Sequence, residues 1–302
     1  MKIKIPLSFF ACLILSTAIT SCGGDNDNPA SVAPSTNSEL ATQPSSNALS
    51  GLFIDGPVSG ISYTCGSQKG TTDDSGKFFY DKDSICTFAV GKLEIGKASG
   101  SSIVTPVSLV FGAIDETNAQ VVNLSRFLQS LDADSNTSNG ISIPSDKSSQ
   151  LAGTLNFSAA TFDTEASQLI NRLYPGRSLV SVLDASEHLR VNLIKARDGK
   201  YLCQFKGGEA GSVTVTLDKG SVSGVGYFAD DIKETFNVYG AVKSSGALSL
   251  GPQEATGNPT AGGTSLPATW TGEVKMDGQA SGTWKTPPGE DYQEGTWSCV
   301  RQ

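Results

Sequence analysis

The sequence predicts a multidomain, mainly β protein: a small β-sandwich, a short helical module and a C-terminal eight-stranded antiparallel barrel or meander sandwich. Three observations lead there. Apolar and polar residues alternate with period two in residues 51–100 and again in 200–302, whereas a 3.6-residue period runs between them. Glycine is unusually frequent, 33 in 302 residues, or about 11% against the usual ~7%. Much of it sits with Asp, Asn and Ser in clusters that read as turns.

The chain opens with a positive region, Lys2 and Lys4, followed by a short apolar run from Leu7 to Leu15 and small residues up to Cys22. Such a run is too short to span a bilayer, which takes ~20 apolar residues, and reads as a signal peptide. Ile19-Thr20-Ser21-Cys22 resembles the lipobox of bacterial lipoproteins, in which a branched residue and two small ones precede a cysteine. The resemblance implies cleavage after residue 21, acylation of Cys22 and a lipid-bilayer anchor through that residue. Gly23 stands where an inner-membrane retention signal would have Asp, so the expected membrane is the outer one. Residues 22–50 are Ser, Asn, Thr, Ala, Pro and Gly with scattered acids, the composition of a solvated tether.

Charge and cysteine content narrow the function classes. The chain carries 22 Lys+Arg against 30 Asp+Glu, a formal charge of −8. That balance argues against nucleic acid as a partner, because phosphate contacts rest on Lys and Arg. A single His excludes most His-based metal sites. With Cys12 in the signal and Cys22 lipidated, Cys65, Cys86, Cys203 and Cys299 remain, an even set in an exported chain. Spacing alone allows three pairings. The domain division favours Cys65–Cys86 and Cys203–Cys299, and no two of the four are close enough in sequence for a zinc site.

In residues 51–100, Ile61, Tyr63 and Cys65, then Phe78 and Tyr80, then Cys86, Phe88 and Val90 mark antiparallel strands, with Thr71–Gly76 as a turn cluster. Gly51-Leu52-Phe53-Ile54-Asp55-Gly56-Pro57-Val58-Ser59-Gly60, followed by Thr72-Asp73-Asp74-Ser75-Gly76-Lys77-Phe78, resembles the transthyretin-like (carboxypeptidase regulatory-like) β-sandwich. The match spans about 50 residues of mostly turn chemistry, and it implies a fold rather than an activity. Across 101–199, Asn118 caps an expected helix with Val121, Leu124, Leu128 and Leu131 on one face. A second carries Ala166, Leu169, Ile170 and Leu173 and stops at Tyr174-Pro175-Gly176. A third opens at Asp184 with Glu187, and Thr105-Pro106 opens a shorter one. In 200–302 eight strands are expected, at 201–205, 212–217, 222–228, 236–242, 248–250, 268–274, 280–286 and 293–300. Ser281-Gly282-Thr283-Trp284 recurs as Glu294-Gly295-Thr296-Trp297, and glycine ahead of an aromatic suggests a barrel.

Few residues here point to chemistry. Asp132, Asp134, Asn136 and Asn139 follow a helix and present oxygens at near-alternate positions, as a Ca²⁺-binding loop would. Thr137 and Ile143 stand where an EF-hand-like loop would have Gly and an acid. Gly91–Ala98 misses the phosphate-binding loop pattern, since Ala98 replaces the required Ser or Thr. His188 follows Asp184 by one helical turn, which reads as a pair on a solvated helix face. Acidic pairs such as Asp230-Asp231 and Glu290-Asp291 could serve as glycosidase carboxylates, but both sit in turn-like stretches, where acids are usually solvated. Trp270, Trp284, Trp297, Tyr227 and Tyr239 are expected mainly as barrel core.

Taken whole, the chain resembles the adhesin-like outer-membrane lipoproteins of gammaproteobacteria. That implies a non-enzymatic binding or adhesion role at the cell envelope, with an extracellular or envelope ligand. The alternatives are a hydrolase of envelope polymer using paired carboxylates, and a periplasmic assembly factor.

Overall fold

Alternating apolar residues leave most strands of 49–104 one dry face, and two small sheets use those faces to enclose a core. The structure is a computed structural model and describes residues 45–230, 235–251, 264–265, 268–289 and 291–302. The first strands are β1 (Leu49–Phe53), β2 (Val58–Ser59), β3 (Ser62–Cys65), β4 (Gln68–Thr71), β5 (Lys77–Tyr80), β6 (Ile85–Val90), β7 (Leu93–Ser99) and β8 (Ile103–Val104). One sheet runs β4-β3-β6-β7 and the other β5-β1-β8. Phe53, Phe78 and Phe88 meet edge-on between them, with ring centroids 5.2–5.3 Å apart. Cys65 and Cys86 face each other in the β3–β6 register and are disulfide-bonded. The Gly91–Ala98 stretch lies in the β6–β7 hairpin, and Leu93 and Ile95 point into the core.

The helical segment comprises a 3₁₀ turn (Pro106–Leu109), α1 (Ala119–Ser130), α2 (Ser145–Ser148), α3 (Phe162–Leu173) and α4 (Val182–Lys195). Asn118 caps α1, its Oδ1 accepting from Gln120 and Val121 amides at 3.0 and 3.3 Å. The cap of α4 is Ser181 rather than Asp184. Ser181 Oγ accepts from the Asp184 amide and donates to the Asp184 carboxylate, so Asp184 orients the capping hydroxyl. A short strand, β9 (Ile141–Ser142), pairs in parallel with β2. Leu124, Phe127, Leu128, Leu131, Ile170 and Leu173 join the core of the sandwich. The change at residue 100 is therefore a change of period and not of core.

The C-terminal segment is an eight-stranded antiparallel barrel. Its strands are β10 (Gly199–Gly207), β11 (Gly211–Asp218), β12 (Ser221–Phe228), β13 (Thr235–Val242), β14 (Ala247–Gly251), β16 (Thr269–Val274), β17 (Gln279–Lys285) and β18 (Glu294–Arg301), with a two-residue β15 (Thr264–Ser265) alongside β13. Each barrel strand pairs with its sequence neighbour, and β18 returns to β10 to close the ring. Cys203 and Cys299 are partners in that closing register and are disulfide-bonded. Inward positions are apolar, whereas outward positions on β10 and β11 include Lys200, Gln204, Lys206, Thr214 and Thr216. The outer wall also carries exposed Leu202, Val225, Tyr227, Tyr239 and Val300. Among the described residues no helix is long and apolar enough to cross a membrane.

The repeated Gly-Thr-Trp has a packing origin. Trp297 stands opposite Gly282 and Trp284 opposite Gly295 in the β17–β18 register. A Cβ on Gly282 would come within 2.7 Å of Trp297, and one on Gly295 within 2.6 Å of Trp284. Each indole occupies the space that the facing glycine leaves, so two antiparallel copies of the motif interlock.

One end of the barrel rests on α4. Arg197, buried just beyond that helix, donates to the carbonyls of Leu193, Ser244 and Val274 at 2.7–2.8 Å. Burial pulls its guanidinium down to about 10, still protonated at neutral pH. Arg301 adds a bond to the Ala196 carbonyl at 2.8 Å. The tight turns at 218–221, 242–247 and 274–279 lie at this end, and the turn at 207–211 lies at the other.

Candidate functional site

The barrel interior is filled. Tyr201, Val213, Val215, Leu217, Trp270 and Trp297 are among the side chains surrounding a residual space of about 20 Å³, room for about one water sphere. All three Trp are buried, while Tyr227 and Tyr239 lie on the outer wall. At the end away from α4, the described residues form a recess of about 470 Å³. Phe205, Phe228, Trp270 and Trp284 make its floor, and Glu209, Thr286, Asp291 and Gln293 supply polar groups around it. Trp270 and Trp284 stack at 6.3 Å, and Phe205 meets both edge-on. Trp284 Nε1 donates to the Lys206 carbonyl, whereas the buried Trp270 Nε1 has no partner among the described residues. An apolar floor with few polar groups is the usual chemistry of a small-ligand site. Of the five aromatics expected in the core, the three Trp lie there, but Tyr227 and Tyr239 do not, because their strand positions face outward; the recess itself needed the barrel register. Of the acidic pairs, Asp231 and Glu290 lie outside the described residues.

The loop expected to take calcium folds between α1 and β9. Asp132 is buried, and its two carboxylate oxygens accept from the Ser142 and Asn136 amides at 2.8 and 2.9 Å. Asp134 accepts from the Asn136 amide and from Asn139 Nδ2. Burial raises the Asp132 carboxyl above the ordinary carboxylate range, while the bond from Asn139 lowers that of Asp134. Asp132, Asp134 and Asn139 thus converge beside a hollow of about 410 Å³ that Asp74 also lines. Asn136 turns its side-chain oxygen to Ser138 instead. Among the described residues no three of His, Cys, Asp and Glu gather as a metal site would require. Cys22 lies outside the described residues.

His188 does not form the expected surface pair with Asp184. It is mostly buried, and its Nε2 lies 2.8 Å from the backbone carbonyl of Asp55. A carbonyl only accepts, so Nε2 carries the proton. Gly56, at φ +72°, lets the chain pass here, since a Cβ would stand 3.2 Å from that nitrogen. The Asp55 carboxylate is fully buried, 3.8 Å from Nε2, and Gln129 Nε2 donates to both its oxygens at 3.2–3.3 Å. Ser125 lies against it without an aligned hydrogen bond. Burial pushes Asp55 up to about 6, against the opposing pull of His188. With Asp55 fully buried and His188 largely so, this cluster fastens α1 and α4 to the strand loop. Only an acid within the apolar run Leu52–Val58 signals it in the sequence.

No protein-family model matches this chain, and no curated protein is similar to it.

Proposed function

We propose that the protein is a lipid-anchored, non-enzymatic binding or adhesion module of the bacterial outer membrane, taking its ligand at the far mouth of the barrel. The observation that carries this reading is the filled barrel with its aromatic-floored recess of about 470 Å³ at the end opposite α4. A filled interior leaves no enclosed chamber for a reaction, and the recess has the size and lining of a ligand site. The lipobox-like Ile19–Cys22 and the polar tether after it would hold that mouth away from the membrane. The transthyretin-like segment then serves as a spacer. A hydrolase would need two carboxyl groups about 5–9 Å apart in a cleft, and a periplasmic assembly factor would need the inner-facing leaflet.

Proteinase treatment of intact cells tests the reading. A surface-facing module should lose its barrel from intact cells, and Cys22→Ala should move the protein out of the membrane fraction. Full protection in intact cells would overturn adhesion in favour of the periplasmic role, and acylation of the Cys22→Ala chain would remove the anchor.

A further inference from the structure

We propose that the recess at the barrel mouth takes a small organic ammonium ion with an apolar body, an assignment that rests on reading this mouth as the ligand site. Phe205, Phe228, Trp270 and Trp284 line the recess of about 470 Å³, and Glu209 and Asp291 are the charged side chains around it among the described residues. An ammonium ion is attracted both to aromatic rings and to carboxylates. A site that joins the two favours it over a neutral or anionic ligand of the same shape. The groups it would meet are open to a ligand. Asp291 is exposed, and Glu209 and Phe228 are half-buried. Phe228 presents the ring that a ligand touches, with Phe205 edge-on to it at 6.1 Å.

The hydrogen-bonding groups point the same way. Trp284 Nε1 donates to the Lys206 carbonyl at 3.3 Å, and Thr286 Oγ1 to the Gln293 carbonyl at 3.3 Å. Gln293 Nε2 donates to Glu209 Oε1 at 3.4 Å. Trp270 Nε1 is unpaired among the described residues but buried, out of a ligand's reach. The side-chain donors are thus engaged or inaccessible. Glu209 Oε2 and both carboxylate oxygens of Asp291, by contrast, accept no hydrogen bond among the described residues. An ammonium ion brings the N–H donors and the opposite charge that these oxygens lack, whereas a carboxylate or phosphate brings neither.

A sugar fits less well. It would stack on an open indole face, but Trp270 and Trp284 are each only 3% exposed. The formal charge of −8 further favours a cation over an anion in the approach to the protein.

Calorimetric titration of the full chain in nonionic detergent tests the proposal with three probes of similar shape: phenethylammonium, phenethyl alcohol and phenylacetate. Phenethylammonium should bind saturably and about tenfold more tightly than the alcohol, with phenylacetate weaker still. Replacing both acids, Glu209→Gln with Asp291→Asn, should bring ammonium and alcohol to within about twofold of each other. Phe228→Leu keeps apolar bulk and loses the ring, so it should weaken the ammonium more than the alcohol. Asp291→Asn alone, at an exposed position, carries the test if the double variant does not fold; it should cost the ammonium about threefold and leave the alcohol unchanged. Alcohol or phenylacetate binding as tightly as the ammonium would overturn the cation and leave the mouth a ligand site. A folded double variant that keeps the full preference would do the same. Absence of saturable phenethylammonium binding would also overturn the proposal, while the surface-module reading is decided separately, by proteinase treatment of intact cells.

Discussion

Replacing Asp55 with asparagine should remove a pH dependence that this one carboxyl imposes on folding. In the folded chain Asp55 is fully buried, with Gln129 and Ser125 of α1 and His188 of α4 around it, and burial raises it from 3.8 to about 6. The folded state therefore holds a proton that the unfolded state has already released between those two values. Stability from this group is complete below about pH 3.8, declines as pH rises to about 6, and is level beyond. At about 1.36 kcal/mol for each pH unit of that window, the loss comes to about 3 kcal/mol. Asp55→Asn keeps the shape and cannot ionise, so it should lack this decline. Its own constant effect on packing cancels when the two proteins are compared at two pH values. The assay is urea unfolding of wild type and variant at pH 4 and pH 7.5, followed by circular dichroism at 222 nm to report on the helices that the cluster joins. Because pH 4 already lies just above the unfolded value, the stability difference between variant and wild type should move by about 2 kcal/mol in the variant's favour on going to pH 7.5. A difference that stays constant to within about 0.5 kcal/mol would refute the reasoning, because a carboxyl with equal affinity for its proton in both states contributes no slope.

Three further outcomes are expected. Removing Cys203–Cys299 as a Ser pair should destabilise the barrel, read by Trp fluorescence, more than removing Cys65–Cys86 destabilises the sandwich; sequence separations of 96 and 21 correspond to about 4.7 and about 3.4 kcal/mol of loop entropy. Arg197→Met should cost about 3 kcal/mol or more by leaving the Leu193, Ser244 and Val274 carbonyls without a donor, a fall of about 6–12 °C in Tm by calorimetry. With both Asp132 oxygens held by backbone amides and no three ligating side chains gathered among the described residues, millimolar Ca²⁺ should leave Tm unmoved; a rise that EDTA reverses would restore calcium to the reading of the Asp132, Asp134 and Asn139 cluster.

The strands, the helices and their boundaries follow from local chemistry. Apolar alternation, Asn118 as a cap, and turns such as Lys219-Gly220 act over a few residues; the eight barrel strands and the start of α1 were legible to within about two residues, whereas the cap of α4 was misplaced by three, at Asp184 instead of Ser181. The cysteine pairing was legible once the segments were divided, because each pair sits within one segment. Position across the chain was not legible, since it depends on register and docking. The Gly-Thr-Trp repeat announced a packed aromatic interior, yet only the β17–β18 register set Trp297 over Gly282 and Trp284 over Gly295. His188 illustrates the same limit. Its sequence neighbour Asp184 is one turn away, but Ser181 occupies that carboxylate, and α4 docks so that the imidazole meets Asp55, 133 residues distant. Local sequence selects a segment's conformation at little cost, but which side chains lose water is settled by how the segments pack, and that desolvation makes an ordinary residue a candidate site.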